Sequence, residues 1–393
     1  MDQETVYQIR ILPGFGEIDA EAWNALAQVS REDGSVERNP FLSHAYLSSL
    51  EESGSASVET GWYPQHLILE TQDGQKLGAM ICYLKNHSQG EYVFDHGWAD
   101  AFYRAGGEYY PKLQSAVPFT PATGPRFLTG KSKDPEPIRA ALSAGLTQLT
   151  EKSRASSAHI TFMQKSEWES VETFGYLQRT DRQFHWHNQS YDDFDAFLES
   201  LSSRKRKNIR KERKTALGAD GLTIEQLTGD QITEEALDAF YAFYMDTGSR
   251  KWGQPYLNRK FYSLIAERMA DDILLIMVKR NGAYVAGAIN FIGDDCLYGR
   301  HWGCIEEYPC LHFEVCYYQA IDYAIVKGLK RVEAGAQGEH KLARGYVPVT
   351  TYSAHHIANP GFRDAVEAYL ENERRHVEME KDILTKHTPF KRA

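Results

Sequence analysis

Two apolar runs, each broken by a turn dipeptide, organise the chain. HLILETQDGQKLGAMICYL (residues 66–84) and ILLIMVKRNGAYVAGAINFI (residues 273–292) both read strand, turn, strand. Asp73-Gly74 and Asn281-Gly282 supply the left-handed backbone that a two-residue hairpin turn needs. Each second strand carries a Gly-Ala pair, Gly78-Ala79 and Gly287-Ala288. Tyr110-Pro111-Lys112-Leu113 then echoes Tyr308-Pro309-Cys310-Leu311. A helix and a short strand follow in both halves, at residues 134–154 and 158–163, then at 311–328 and 330–334. This shared order, repeated about 200 residues apart, predicts a duplicated unit. The expected domains are residues 1–180 and 181–393, the second including a basic helical segment (202–217) and the C-terminal helix.

Between the halves, Phe194, Phe197, Leu198 and Leu201 fall at helical spacing, and Ser202-Ser203 begins a second helix. Further helices are expected at residues 237–244 and 261–269, joined by the loop TGSRKWGQPYLNR, and at 360–382. The densest signal is residues 297–346. There an aromatic strand, a helix of roughly four to five turns and a short strand run into the polar loop 335–341. Two strands joined by a helix favour parallel neighbours, and open α/β sheets place ligands at the C-terminal ends of such strands.

Composition narrows the possibilities. No apolar run is long enough to span a membrane, and the N-terminus lacks a secretory pattern. Five cysteines without a C-x-x-C pair argue against a disulfide framework and a zinc site. The pairs His185/His187 and His355/His356 lack a third ligand at a recognisable spacing, so no metal is expected. A reduced, cytoplasmic protein is the expectation. Net charge is −10, yet RKRKNIRKERK (residues 204–214) holds eight cations and one acid. That contrast suggests a specific anionic contact, not general coating of DNA.

One half taken alone (helices, hairpin, strand, helix, strand) resembles the acetyltransferase-like (GNAT) fold. Two copies with a charged helical segment resemble the FemAB-like acyltransferases, and within them a Gram-negative branch of predicted N-acyltransferases labelled peptidoglycan biosynthesis/recognition. The resemblance rests on NPFLSHAYLSSLEESG (39–54), TPATGPRF (120–127), SSRKRKNIRKER (202–213), TGSRKWGQPYL (247–257), GRHWGC (299–304) and EAGAQGEHKLARGY (333–346). It implies an α/β (α+β) fold of two tandem GNAT domains, with central mixed sheets flanked by helices. It also implies transfer of an acyl or aminoacyl group to an amine on a small or cell-wall-related acceptor. Coenzyme-A-dependent members carry a glycine-rich turn that holds the pyrophosphate. The matching segments, EEYPCLHFEV and YYPKLQSAVPF, lack those glycines. The expected donor is therefore aminoacyl-tRNA, with acyl-CoA as the alternative. A non-catalytic protein that binds tRNA or an envelope precursor is the third reading.

Such a transfer needs a proton acceptor for the amine and donors for the developing oxyanion. Glu333 at a strand end and His340 in a glycine-bounded loop are the candidate bases, with His301 on the aromatic strand beside them. Gln337, Lys341 and Arg344 could hold a phosphate or carboxylate. Trp302 and Tyr308 could stack on a base or line an acyl pocket. Arg250, Lys251 and Trp252 could clamp an anionic or planar ligand. Lys207 and Arg210 would face tRNA or a diphosphate, and Arg126 would serve the first cleft. Each has a plainer reading, as a core aromatic, a solvated charge or a structural hydrogen-bonding residue.

Overall fold

The computed structural model describes residues 7–30, 36–251, 255–335 and 338–391. In chain order its main strands are β1 (Tyr7–Leu12), β2 (His66–Thr71), β3 (Lys76–Met80), β4 (Tyr83–Lys85), β5 (Lys112–Ser115), β6 (Ser157–Met163) and β7 (Leu177–His187). There follow β8 (Leu222–Leu227), β9 (Ile273–Arg280), β10 (Ala283–Ile292), β11 (Cys296–Cys304), β12 (Arg331–Glu333) and β13 (Val347–Ile357). The main helices are α1 (Glu136–Lys152), α2 (Ser203–Leu217), α3 (Glu234–Lys251), α4 (Arg259–Met269), α5 (Gln319–Val326) and α6 (Pro360–Lys386). Both expected hairpins form, as β2–β3 and β9–β10. The result is a mixed α/β protein.

Two compact units divide the chain: Met1–Asp181 with Thr350–Glu378, and Arg182–Val349 with Met379–Ala393. In the first unit, β1, β2 and β3 make one antiparallel sheet. A second sheet joins β4 to β5 antiparallel, β5 to β6 parallel, and β6 to β13 antiparallel. Leu142, Leu146 and Leu149 of α1 recur at helical spacing and pack on Leu67, Met80, Leu113 and Ile160. Each such buried leucine contributes about 2 kcal/mol of apolar transfer.

In the second unit the strand order is β8-β9-β10-β11-β12-β7. Strand alternation sends Leu274, Ile276 and Val278 into one core, with Val315, Tyr318 and Ile321 packing from the helical side. α3 lies against the opposite face of the sheet. It approaches so closely that a Cβ at Gly303 would sit 2.2 Å from the Phe243 carbonyl oxygen.

Three expectations are corrected. Residues 350–378, expected with the second half, belong to the first unit. There β13 pairs with β6, and Glu373 of α6 holds Arg179 through a two-pronged ion pair. The Tyr-Pro echo falls on unlike elements: Lys112-Leu113 opens a strand, whereas Leu311 opens a helix. The helix expected over 311–328 contains a π turn, Glu314–Tyr318, between the α turn Leu311–Phe313 and α5. Glu314 is fully buried within that turn and is bound by Arg213. Such bulges gather at functional sites.

Candidate functional site

The site begins where two strands of the second unit part. β11 and β12 run parallel with Cys296 opposite Arg331, Leu297 opposite Val332 and Tyr298 opposite Glu333. β12 then ends, while β11 continues to Cys304 along β10. Past Tyr298, the edge of β11 that faced β12 has no further ladder partner among the described residues. Gly335 (φ +74°) and Gly338 (φ +100°) turn the departing chain through left-handed backbone that other residues rarely adopt. The chain returns as the short turn Glu339–Arg344.

One face of this gap is aromatic and basic. Trp302 of β11 packs on His312 with ring centres 5.5 Å apart. His312, Phe313 and Tyr317 surround the exposed ring of His340 at 6.2, 5.7 and 5.7 Å. The Tyr317 hydroxyl and His340 Nε2 share a hydrogen bond of 2.9 Å. Partial desolvation, then the cations Arg344 and Lys341, push the His340 pKa below the usual histidine value. The imidazole is therefore neutral near pH 7 and able to accept a proton. Lys341 is buried and donates to the carbonyls of Ala334 and Gly335. Burial brings its pKa down to about 8. Arg344 stacks 3.4 Å above the Phe313 ring.

The other face is distinct. Alternation along β12 puts Val332 in the core and turns Arg331 and Glu333 the opposite way. Glu333 is 4% exposed. Its carboxylate accepts from Arg331 at 3.2 Å and lies 3.9 Å from His185 Nε2. His301 faces Tyr244 of α3, and desolvation takes its pKa down to about 3. Its Nδ1 is buried without a hydrogen-bond partner among the described residues. The three candidate bases are thus not gathered together: His340 stands apart from Glu333 and His301.

The basic run has two faces. Ile209 and Ala216 are buried, and the lone acid, Glu212, accepts from Arg344 and from the Tyr318 hydroxyl. Arg213 reaches Glu314 and Asp322 and lies 4.3 Å over the Phe194 ring. Outward, Arg210 pairs with Asp195 at 2.9 Å and Arg206 with Glu199. Lys207 and Lys211 are exposed. Ser202 occupies the N-cap position of α2 but makes no capping bond through its side chain.

The remaining candidates are dispersed. Arg250 pairs with Asp246 and donates to the Cys304 carbonyl. Trp252, Gln337 and the Lys251 side chain lie outside the described residues. Tyr308 is bonded to Glu306, with Arg280 5.8 Å over its ring. In the first unit Arg126 is 2% exposed and donates to the carbonyls of Thr161, Ala122, Pro125 and Gly124, so its guanidinium braces a loop. Among the described residues, no cluster of three or more histidine, cysteine or acidic side chains is placed to hold a metal. No helix among them is long and apolar enough to cross a membrane. Sequence reading missed Tyr317, Phe313 and Glu212. A core tyrosine and an acid within a basic run carry no local signal of such roles.

Residues 14–392 match the model of the FemAB-like family, described as peptidoglycan biosynthesis/recognition. Among solved structures, the chain is similar to FemX at 13% identity and a TM-score of 0.53, covering 89% of this chain and 98% of that one. It is similar to the C-terminal domain of a putative lysylphosphatidylglycerol synthetase from Agrobacterium fabrum at 10% identity and a TM-score of 0.52, covering 91% and 97%. L-PGS from Bacillus licheniformis shares 11% identity with a TM-score of 0.50, covering 85% and 98%. At such identities the likeness is one of fold. No curated protein matches the sequence.

Proposed function

The chain belongs to the FemAB-like family, and from that premise we propose that it is an N-acyltransferase acting on an amine of a small or cell-wall-related acceptor. The two halves are read as tandem acetyltransferase-like domains of the Gram-negative branch, and the second carries the reaction. One observation supports this above all. An exposed, neutral imidazole bonded to a tyrosine hydroxyl stands beside a gap between parting parallel strands. The amine nitrogen attacks the acyl carbonyl and loses its proton to His340. The tetrahedral intermediate then collapses, and the leaving oxygen or sulfur regains a proton. Glu333 is the weaker candidate because Arg331 already occupies its carboxylate. The preferred donor is an aminoacyl ester of tRNA. The glycine turn that would hold a coenzyme pyrophosphate is absent from the sequence, and Lys207 and Lys211 stand exposed on α2.

The test is single-turnover transfer from charged tRNA and from acyl-CoA to a panel of amines. Charged tRNA should support transfer, and His340→Ala should lower the rate about 100-fold or more. Unchanged rates in both His340→Ala and Glu333→Gln would remove the catalytic assignment. Salt-sensitive RNA binding without turnover would favour a binding protein instead.

A further inference from the structure

The acid inside the basic run is the least expected residue of the second unit. Glu212 spends both carboxylate oxygens on one guanidinium, with Arg344 Nη2 at 3.0 and 2.9 Å. The same guanidinium donates from Nη1 to the main-chain carbonyl of His340 at 2.7 Å. Its plane rests 3.4 Å above Phe313, one of the rings around the His340 imidazole. Three restraints of different kinds thus meet on Arg344: an ion pair, a stacking surface and a hydrogen bond to the residue it serves. Only a planar, forked cation satisfies all three, so lysine would not replace it.

We propose that Arg344 is a positioning residue for His340, and that Glu212 of α2 holds Arg344 in that task. This rests on the acyltransferase reading only for its kinetic consequence; the physical coupling stands without it. Arg344 fixes the backbone from which the imidazole projects, and its charge disfavours a second proton on the ring. The other groups facing the ring are Lys341 on the same turn, and His312 and Tyr317 on the neighbouring helical segment. Phosphate or carboxylate capture by Arg344 is a poorer assignment, since Glu212 holds Nη2, the His340 carbonyl holds Nη1, and Nε is buried away from solvent.

The experiment follows the His340 ring by NMR in histidine-labelled full-length protein, alongside single-turnover rates. In Arg344→Gln the His340 pKa should rise by about half a unit or more on losing a neighbouring cation. The transfer rate should fall about tenfold with little change in KM for the amine. Arg344→Lys should keep most of the pKa effect, because the charge stays, yet lose rate, because the fork is gone. Glu212→Gln retains the volume and serves as the gentler variant if Arg344→Gln fails to fold. It should loosen the ring, seen as broadened or shifted His340 resonances. An unchanged His340 titration in Arg344→Gln together with unchanged resonances in Glu212→Gln would overturn the proposal. If wild-type protein transfers no acyl group while the NMR changes appear, the acyltransferase reading fails and the positioning pair stands.

Discussion

Each unit contains a parallel pair of strands joined by a helix-bearing connection, and the two pairs are used in opposite ways. In the first unit β5 and β6 align Leu113 with Ala158 and Ser115 with Ile160. The chain beyond, residues 116–122, is buried throughout. The ionisable groups nearby pair with one another: Lys112 binds Glu91, Asp95 and Ser88, and Lys85 binds Glu91 and lies 3.4 Å over the Trp62 ring. His159 shares hydrogen bonds with Ser157 and His355. In the second unit the matching gap keeps an exposed imidazole and half-buried aromatic rings. Similar residue types are therefore scaffold in one place and candidate chemistry in the other. What separates them is whether the polar groups are already engaged with one another within a sealed interior.

The sharpest way to break this contrast is Lys112→Met. Removing the shared cation leaves Glu91 and Asp95 buried without it, a loss of about 3–5 kcal/mol in urea unfolding. Lys207→Met on the exposed face of α2 should stay within about 0.5 kcal/mol. Near-equal losses would erase the distinction. A second comparison uses acid. Desolvation holds the His159 pKa down at about 3 and the His185 pKa at about 4. Between those values and the ordinary histidine pKa of about 6.5, the unfolded chain binds protons that the folded chain refuses. Stability should accordingly fall as pH drops from about 6.5 towards 4. His159→Gln should flatten that fall by about 1.4 kcal/mol per pH unit, read from denaturant midpoints across the range. The smallest effect concerns α2: Lys207→Ala with Lys211→Ala should leave the melting temperature alone. It should reduce the salt slope of RNA binding by about one unit for each phosphate that is no longer neutralised.

Much of the fold could be read locally. Asp73-Gly74 and Asn281-Gly282 mark their hairpins because turn geometry admits few residues. Leu142, Leu146 and Leu149 mark α1 by spacing alone. The polar loop after Glu333 was legible because Gly335 and Gly338 bracket its start, and it does carry His340. Less legible was anything depending on distant partners. No local pattern around residue 350 says that β13 pairs with β6, since that register is set by residues almost two hundred positions earlier. Nor does an apolar helix announce a π turn, which arises where buried Glu314 meets Arg213. Arg126, expected to serve a cleft, is internal because loop carbonyls needed donors.

The return of residues 350–378 to the first unit has a consequence for synthesis. As the chain leaves the ribosome, β6 emerges long before the strand that completes its sheet, and its edge must wait with its amides unpaired. Non-local closure of this kind slows folding. Expressing the chain as two halves cut near residue 181 would leave the first unit without residues 350–378, so its sheet gains β13 only after the whole second-unit segment 182–349 has been made.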